Sequence, residues 1–323
     1  MLHLRLITPP EQTDDVVRLI ETTVGTAHLV VLPSAARSPA GDVVLCDVAR
    51  EAGDELLDGL RKLGIERSGS VSVESPDLTL SAQAERAEKA APGEGADAVL
   101  WQELTEATHE ESTLSVTYLA FITLATMIAA CGVVLDNAVL IVGAMAVGPE
   151  FGPLAGIGTA LVQRAPRLAL RSLIALLAGF ALAMAVTAGF ALFMDAVGLF
   201  SKAKLEGARP NTAFVYAPDA FSFVVAVLAG AAGTLSLTSA KSGALIGVAI
   251  SVTTVPAAAN AAVALAYGDT VQTLGSTVQL LLNMLGIVLA GTLTLLAQKW
   301  FWARQRERMS KAGQGLLQCP DRD

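Results

Sequence analysis

A single carboxylate lies inside a long apolar stretch of the chain. Glu150 is the only ionisable residue of the segment VGAMAVGPEFGPLAG, residues 142–156. An ionisable side chain within a membrane helix is unfavourable unless it is paired or hydrated, so it marks a functional candidate. Such a group can carry a proton or hold a cation. It can equally serve a structural role at a helix end, and both interpretations of Glu150 stay open.

The residues around this carboxylate interrupt the helical pattern. Pro149 and Pro153 each remove a backbone donor. In hydrocarbon every backbone group must be paired, so a broken segment survives only where it is buried in protein or lines a wet cavity. We therefore predict a split helix here. The candidate residues for binding a solute or ion are Gly148, Pro149, Glu150, Gly152 and Pro153.

A second apolar stretch, GALIGVAISVTTVPAAANAAVAL at 243–265, carries a similar interruption near its middle. Its candidate binding residues are Thr253, Thr254, Pro256 and Asn260. The run VLIVGAMAVGP of the first stretch has a partial echo in ALIGVAISVTTVP of the second. Paired broken helices in an inverted repeat indicate a transporter binding site near the middle of the membrane. Helix packing is the alternative interpretation, because glycine and polar residues often only join membrane helices, and we expect that role for the AGAAG run at 229–233.

Six apolar segments must position these residues. A membrane span needs about 20 mostly apolar residues. We predict spans at 114–134, 138–161, 168–194, 220–240, 243–267 and 274–299. Spans one to three and spans four to six begin on opposite sides of the membrane. The fold class predicted is therefore an α-helical polytopic membrane domain with an inverted 3+3 repeat, whose second and fifth spans are broken.

The placement of Lys and Arg predicts the orientation. With the N-terminus inside, the cytoplasmic segments carry Arg164, Arg167, Arg171, Lys241, Lys299, Arg304, Arg306, Arg308 and Lys311. The outer loops carry only Lys202, Lys204 and Arg209. We expect both termini in the cytoplasm and the chain in a bacterial cytoplasmic (inner) membrane. The basic tail at 300–323 begins beside Trp300 and suits contact with membrane lipid.

The N-terminal residues predict a soluble α+β domain. Strand patterns occupy 2–8, 28–33, 41–49 and 67–75, and helical patterns occupy 11–25 and 51–65. The order strand-helix-strand-strand-helix-strand predicts a ferredoxin-like cytoplasmic domain at 1–75. A linker and an amphipathic helix fill 76–113. The acids Asp54, Glu55 and Asp58 are interpreted as a solvated helix face.

Composition excludes several classes of function. Only 16% of the residues are charged, against about a quarter in a soluble domain. The net charge is −8, and we expect no nucleic-acid partner. The three cysteines and three histidines are far apart in sequence, so we expect no metal site and no cofactor. There is no nucleotide-binding loop or HExxH motif, and an enzyme is not expected.

The runs GAM and GPEFGP of the second span, LRSL at 170–173, ARPN at 208–211 and GVAISVTTVPA at 247–257 carry a family likeness. Together they resemble the uncharacterised bacterial and archaeal membrane proteins of domain of unknown function 389. Glu150 departs from that family pattern. The resemblance implies a multi-span membrane module and names no substrate.

Two functional hypotheses follow from these patterns. The first is a secondary transporter or channel-like permease for a small solute or ion, with the cytoplasmic domain gating or assembling it. The second is a membrane sensor or scaffold that does not transport, whose N-terminal domain binds a ligand or partner. Small-residue spans and the cytoplasmic domain favour a homo-oligomer in either case.

Overall fold

The computed structural model describes most of the chain as two compact units. It describes residues 1–316 except 77, 92–98, 217–219 and 240–252, and for 305–316 it describes the backbone alone. The first unit contains Met1–Gln102. The second begins at Glu103 and contains the helices up to Gln298.

The first unit is built on a four-stranded antiparallel sheet. Its elements are β1 (Leu2–Thr8), α1 (Pro10–Thr22), β2 (Thr26–Arg37), β3 (Ala40–Val48), α2 (Arg50–Lys62), α3 (Ile65–Ser68) and β4 (Ser70–Glu74). The strand order across the sheet is β2-β3-β1-β4. The predicted alternation of strands and helices is present, with the one-turn helix α3 as an addition. A small antiparallel sheet covered by helices therefore forms the N-terminal part.

The core of this unit follows from strand alternation. Successive side chains of a strand point to opposite faces. Leu2, Leu4 and Leu6 of β1 are consequently all buried. The apolar stripes of α1 and α2 supply buried residues to the same core, including Ile20 and Leu60. The sheet thus buries one face beneath two amphipathic helices.

The predicted linker contains more structure than its composition suggests. Helix α4 (Ala82–Ala90) begins at Ser81, whose hydroxyl accepts hydrogen bonds from two backbone amides of the first turn. Helix α5 (Trp101–Glu111) begins where the backbone amide of Trp101 donates to Asp54, at 3.1 Å. Asp54 is buried, so its assignment to a solvated helix face was wrong. Sequence spacing cannot reveal this contact, because its partners are 47 residues apart.

The second unit is helical. Its elements are α6 (Val116–Val134), α7 (Ala138–Val147), α8 (Phe151–Gln163), α9 (Pro166–Ala196), α10 (Lys202–Glu206), α11 (Ala220–Thr238), α12 (Thr254–Ala266) and α13 (Thr270–Leu316), with a short 3-10 helix at Ala213–Val215. Helix α12 is buried from Thr254 through Ala264 and packs against α6 and α9. The residues of the second predicted break therefore lie at the centre of this unit.

Among the described residues, four helices are long and apolar enough to cross a membrane. They are Val116–Val134, Pro166–Ala196, Ala220–Thr238 and Thr270–Arg304. The bent pair Ala138–Val147 and Phe151–Gln163 makes a fifth if it counts as one span. Six spans were predicted. The first ten residues of the predicted fifth span, 243–252, lie outside the described residues, and its described part is the shorter apolar helix α12.

A glycine allows two of the long helices to pack closely. A Cβ at Gly230 of α11 would lie 2.6 Å from the backbone oxygen of Ile287 in α13. No larger residue fits there without separating the helices. Gly230 belongs to the AGAAG run, for which sequence predicts a packing role.

Candidate functional site

The first predicted break is a bend between α7 and α8. Helix α7 ends with Gly148 as its C-terminal cap, and α8 begins after Glu150. The two helix axes meet at 52°. Pro149 lies in the break itself, where its missing amide interrupts the backbone ladder. Pro153 stands in the first turn of α8, a position that a helix tolerates because first-turn amides lack partners in any case.

Glu150 faces the second predicted break. Its side chain is 4% exposed. The Thr254 hydroxyl donates a hydrogen bond of 2.7 Å to Glu150 Oε1, across 104 residues of sequence. Glu150 Oε2 is buried and has no hydrogen-bond partner among the described residues. The two interrupted segments thus meet at a carboxylate that is only half satisfied.

The start of α12 extends this polar contact. Thr253 precedes the helix, and its hydroxyl accepts a hydrogen bond of 2.8 Å from Asn283 Nδ2 of α13. Gln279, one turn earlier, donates to Asn283 Oδ1 at 3.4 Å. Thr253 and Thr254 therefore connect the carboxylate side of α12 to buried amides of α13. Pro256 occupies the third position of α12, as Pro153 does in α8.

Asn260 belongs to a separate polar cluster. Arg209 donates to Asn260 Oδ1 at 2.9 Å, and Asn260 donates to Ser276 at 2.7 Å. Arg209 is only 4% exposed, and its guanidinium lies 4.6 Å from the centre of the Tyr216 ring. The position of Arg209 in the sequence predicts a loop cation, whereas Arg209 is buried. Its burial could have been suspected only from its place in the ARPN motif.

A cavity of about 390 Å³ opens beside the first break. Gly148, Pro149 and Gly152 line it on the side of the bend. The end of α5 and the first turns of α6 line the opposite side, with Glu110, Glu111 and Tyr118 among their residues. A volume of this size falls within the range of small-molecule pockets, roughly 300–1,000 Å³. Three of the predicted site residues therefore border space that can hold a solute.

Gly148 separates the cavity from Glu150. A Cβ at Gly148 would press against Glu150 Oε2 and lie 2.8 Å from the Val255 side chain. Gly148 lines the cavity, whereas Glu150 does not. The backbone of Gly148 therefore separates the unpaired carboxylate oxygen from the cavity.

The first unit holds a second polar cluster, which sequence analysis did not predict. His3 Nδ1 and His28 Nδ1 contact the two oxygens of Asp47 at 2.7 and 2.6 Å. His28 Nε2 also contacts the hydroxyl of Ser81 at 2.8 Å. The two histidines are far apart in sequence, but strand pairing places His3 opposite Asp47, which both histidines contact.

The electrostatics of this cluster favour ionised Asp47. Burial raises the pKa of Asp47, but hydrogen bonds from His28 and His3 outweigh burial, and the net pKa is lowered. The thiol of the neighbouring Cys46 is buried, which raises its pKa to about 12. Among the described residues, no group of three or more His, Cys, Asp or Glu is arranged to hold a metal ion.

The second unit is thus a bundle of long apolar helices with a bent pair and, at the bend, a buried carboxylate with one unpaired oxygen. The family model for domain of unknown function 389 matches residues 145–289, a range that includes every predicted site residue. The predicted resemblance is therefore confirmed. An uncharacterized protein of Methanocaldococcus jannaschii is 24% identical over 264 residues, which cover 79% of this chain and 77% of that protein. No solved structure matches the chain significantly.

Proposed function

We propose that this protein is a secondary transporter or channel-like permease for a small solute or ion. The observation that carries the proposal is the contact between Glu150 and Thr254. Both residues stand at the start of a short helix that begins inside an apolar bundle. A buried carboxylate with an unpaired oxygen, beside a solute-sized cavity, is typical of a binding site rather than of a packing contact.

An inverted repeat of six spans would account for the contact between the N-terminal ends of α8 and α12. Helices α8 and α12 both have 13 residues, with proline at the third position. The helices that open each half, α6 and α11, both have 19 residues. These matches support a repeat, and residues 240–252 lie outside the described residues. In transporters of this kind the solute binds where the two broken helices meet.

We propose that the first unit is a ferredoxin-like cytoplasmic domain that gates or assembles the transporter. The sheet order β2-β3-β1-β4 and the alternation of strands and helices support this fold. The distribution of Lys and Arg supports cytoplasmic termini in a bacterial inner membrane. We propose in addition a homo-oligomer with membrane lipid around its apolar faces, since small-residue spans can also pack between copies of the chain.

Thiol accessibility tests the proposal. The test uses a background that lacks Cys46, Cys131 and Cys319. Single cysteines replace Ala146 and Thr117, two exposed residues that line the cavity. Vesicles of both orientations are treated with a charged, membrane-impermeant thiol reagent. We expect labelling from the cytoplasmic side, and protection by any solute that the protein transports.

Leu177→Cys provides the matched control. Leu177 is exposed on the apolar surface of α9, away from the cavity lining, so lipid should shield it from a charged reagent. If Ala146→Cys and Thr117→Cys are as unreactive as this control, water does not reach the bend and its role is helix packing. The sensor or scaffold hypothesis would then replace transport.

A further inference from the structure

The cavity beside the break is acidic. Glu110 and Glu111 at the end of α5 both line it, and the described lining contains no Lys or Arg. Arg171 is not part of the lining, and its guanidinium is held by the hydroxyl of Thr113, to which it donates, and by a contact with His109 at 2.9 Å. Negative charge therefore dominates the surface that a solute would meet.

A third carboxylate reinforces this charge. Glu150 is more than nine-tenths buried, and its unpaired Oε2 is directed at Gly148 in the cavity wall. The start of α8 carries a partial positive charge that would otherwise favour an anion. Glu111 Oε2 already lies against Gly152 in that first turn, and Glu150 stands at the cap. The protein's own carboxylates thus occupy the position of an anionic ligand.

The electrostatics of Glu111 agree with this geometry. Partial desolvation beside the cavity raises the pKa of Glu111, and the neighbouring charge of Glu110 raises it further. A cation bound between these groups would relieve the repulsion. An anion would increase it.

Aromatic rings make up much of the remaining wall. Tyr118 and Phe121 from α6 and Phe151 from α8 line the cavity together with the hydroxyl-bearing residues Ser115 and Thr117. The faces of aromatic rings attract ammonium groups. Hydroxyl oxygens can accept hydrogen bonds from an amine. Rings, hydroxyls and carboxylates together match an organic ammonium ion more closely than a bare metal ion.

We propose that the solute bound in this cavity is a small organic cation, such as a primary ammonium ion. That this cation is transported rests on the proposed function, whereas its binding in the cavity does not. It also changes the expectation drawn from half-helix N-termini alone, which favours an anion.

Binding to the purified full-length protein tests the inference. The midpoint of thermal unfolding is measured with propylammonium chloride, sodium propionate or sodium chloride at equal ionic strength. Propylammonium and propionate have similar size and opposite charge. We expect a saturable rise of the midpoint with propylammonium and no saturable rise with the two sodium salts, since a ligand stabilises the state it binds.

Two variants locate the site. Glu111→Gln should lower the affinity for propylammonium at least about tenfold, because it removes a charge-assisted contact. Glu106→Gln is the matched control, since Glu106 is an exposed residue of the same helix outside the cavity lining, and its affinity should equal that of the wild type. Phe121→Leu should weaken binding about threefold by removing one ring, and it keeps the test informative if Glu111→Gln does not fold.

Tighter binding of propionate than of propylammonium would overturn the inference. Equal affinities in Glu111→Gln and Glu106→Gln would overturn it as well. Uptake into proteoliposomes separates it from the proposed function. Binding of propylammonium without uptake would keep the cation site and remove transport, whereas uptake restricted to anions would keep transport and remove the cation site.

Discussion

Each unit of the molecule contains a carboxylate enclosed by protein, and the two carboxylates differ in how many of their oxygens have a hydrogen-bond partner. Asp47 in the first unit contacts a histidine nitrogen at each oxygen. Glu150 in the second unit has one hydroxyl donor and one unpaired oxygen. A fully bonded carboxylate contributes its charge to the fold, whereas an unpaired oxygen retains capacity for a ligand or proton. Stability should therefore depend on Asp47 and transport or binding on Glu150.

Asp47→Asn should produce the largest loss of stability. The neutral amide cannot accept from both histidines, and hydrogen bonds to a charged group contribute about 1.5–3 kcal/mol. We expect the free energy of unfolding of the sheet to fall by about 2 kcal/mol, which corresponds to roughly 30-fold faster amide hydrogen exchange in β3. Hydrogen exchange of the full-length protein, followed by digestion and mass spectrometry of the β3 peptides, measures this rate.

Asp58→Asn is the matched control for this measurement. Asp58 is an exposed acid of α2, and its substitution should change stability by less than about 0.5 kcal/mol. Equal exchange rates in the two variants would mean that the histidine cluster contributes nothing to the sheet.

Lowering the pH should gradually remove the contribution of ionised Asp47 to the stability of the sheet. The pKa of Asp47 in the folded protein lies below its ordinary value of 3.8, because bonds from His28 and His3 outweigh burial. A lowered carboxyl pKa gives stability that is complete above the unfolded value and is lost as pH falls through the folded value. The ratio of β3 exchange rates between Asp47→Asn and wild type should therefore be constant above about pH 5. Below 3.8 it should fall toward one, and a constant ratio across this range would contradict the assignment.

Glu150→Gln should have the smallest effect on stability and a complete effect on function. The amide oxygen can still accept from Thr254, and no bond to Oε2 is lost. We expect the unfolding midpoint to move by less than about 2 °C. Coupling of transport, or binding of the solute, should be abolished. Uptake at the wild-type level would exclude Glu150 from the mechanism, and Glu106→Gln serves again as the control.

Local patterns predicted much of the architecture. The alternation in LHLRLIT predicted β1 with its observed ends, because a strand buried on one face imposes a period of two. The helix break was predicted equally directly, since Pro149 and Gly148 act on the backbone where they stand. Such signals need no knowledge of distant residues.

Contacts between distant residues were not predictable in the same way. The pairing of Glu150 with Thr254 depends on how α12 packs among other helices, and spacing carries no record of it. The cluster around Asp47 depends on the register between β1 and β3. Asn260 was grouped with Thr254 because the two are close in sequence, yet its partner is Arg209. Sequence singled out Glu150, Thr254 and Asn260 but not Asp47, and it could not divide these polar residues into clusters.

Proline at the third position of α8 and α12 limits how many donors each helix start can offer. An ordinary helix presents several unpaired backbone amides in its first turn, and these can wrap the oxygens of a phosphate or sulfate. Pro153 and Pro256 each remove one of them. Each of the two helix starts beside the Glu150–Thr254 contact therefore offers an oxyanion one backbone amide fewer, and the missing amide is at the same helix position in both. A solute that brings its own donors loses nothing by this shortage.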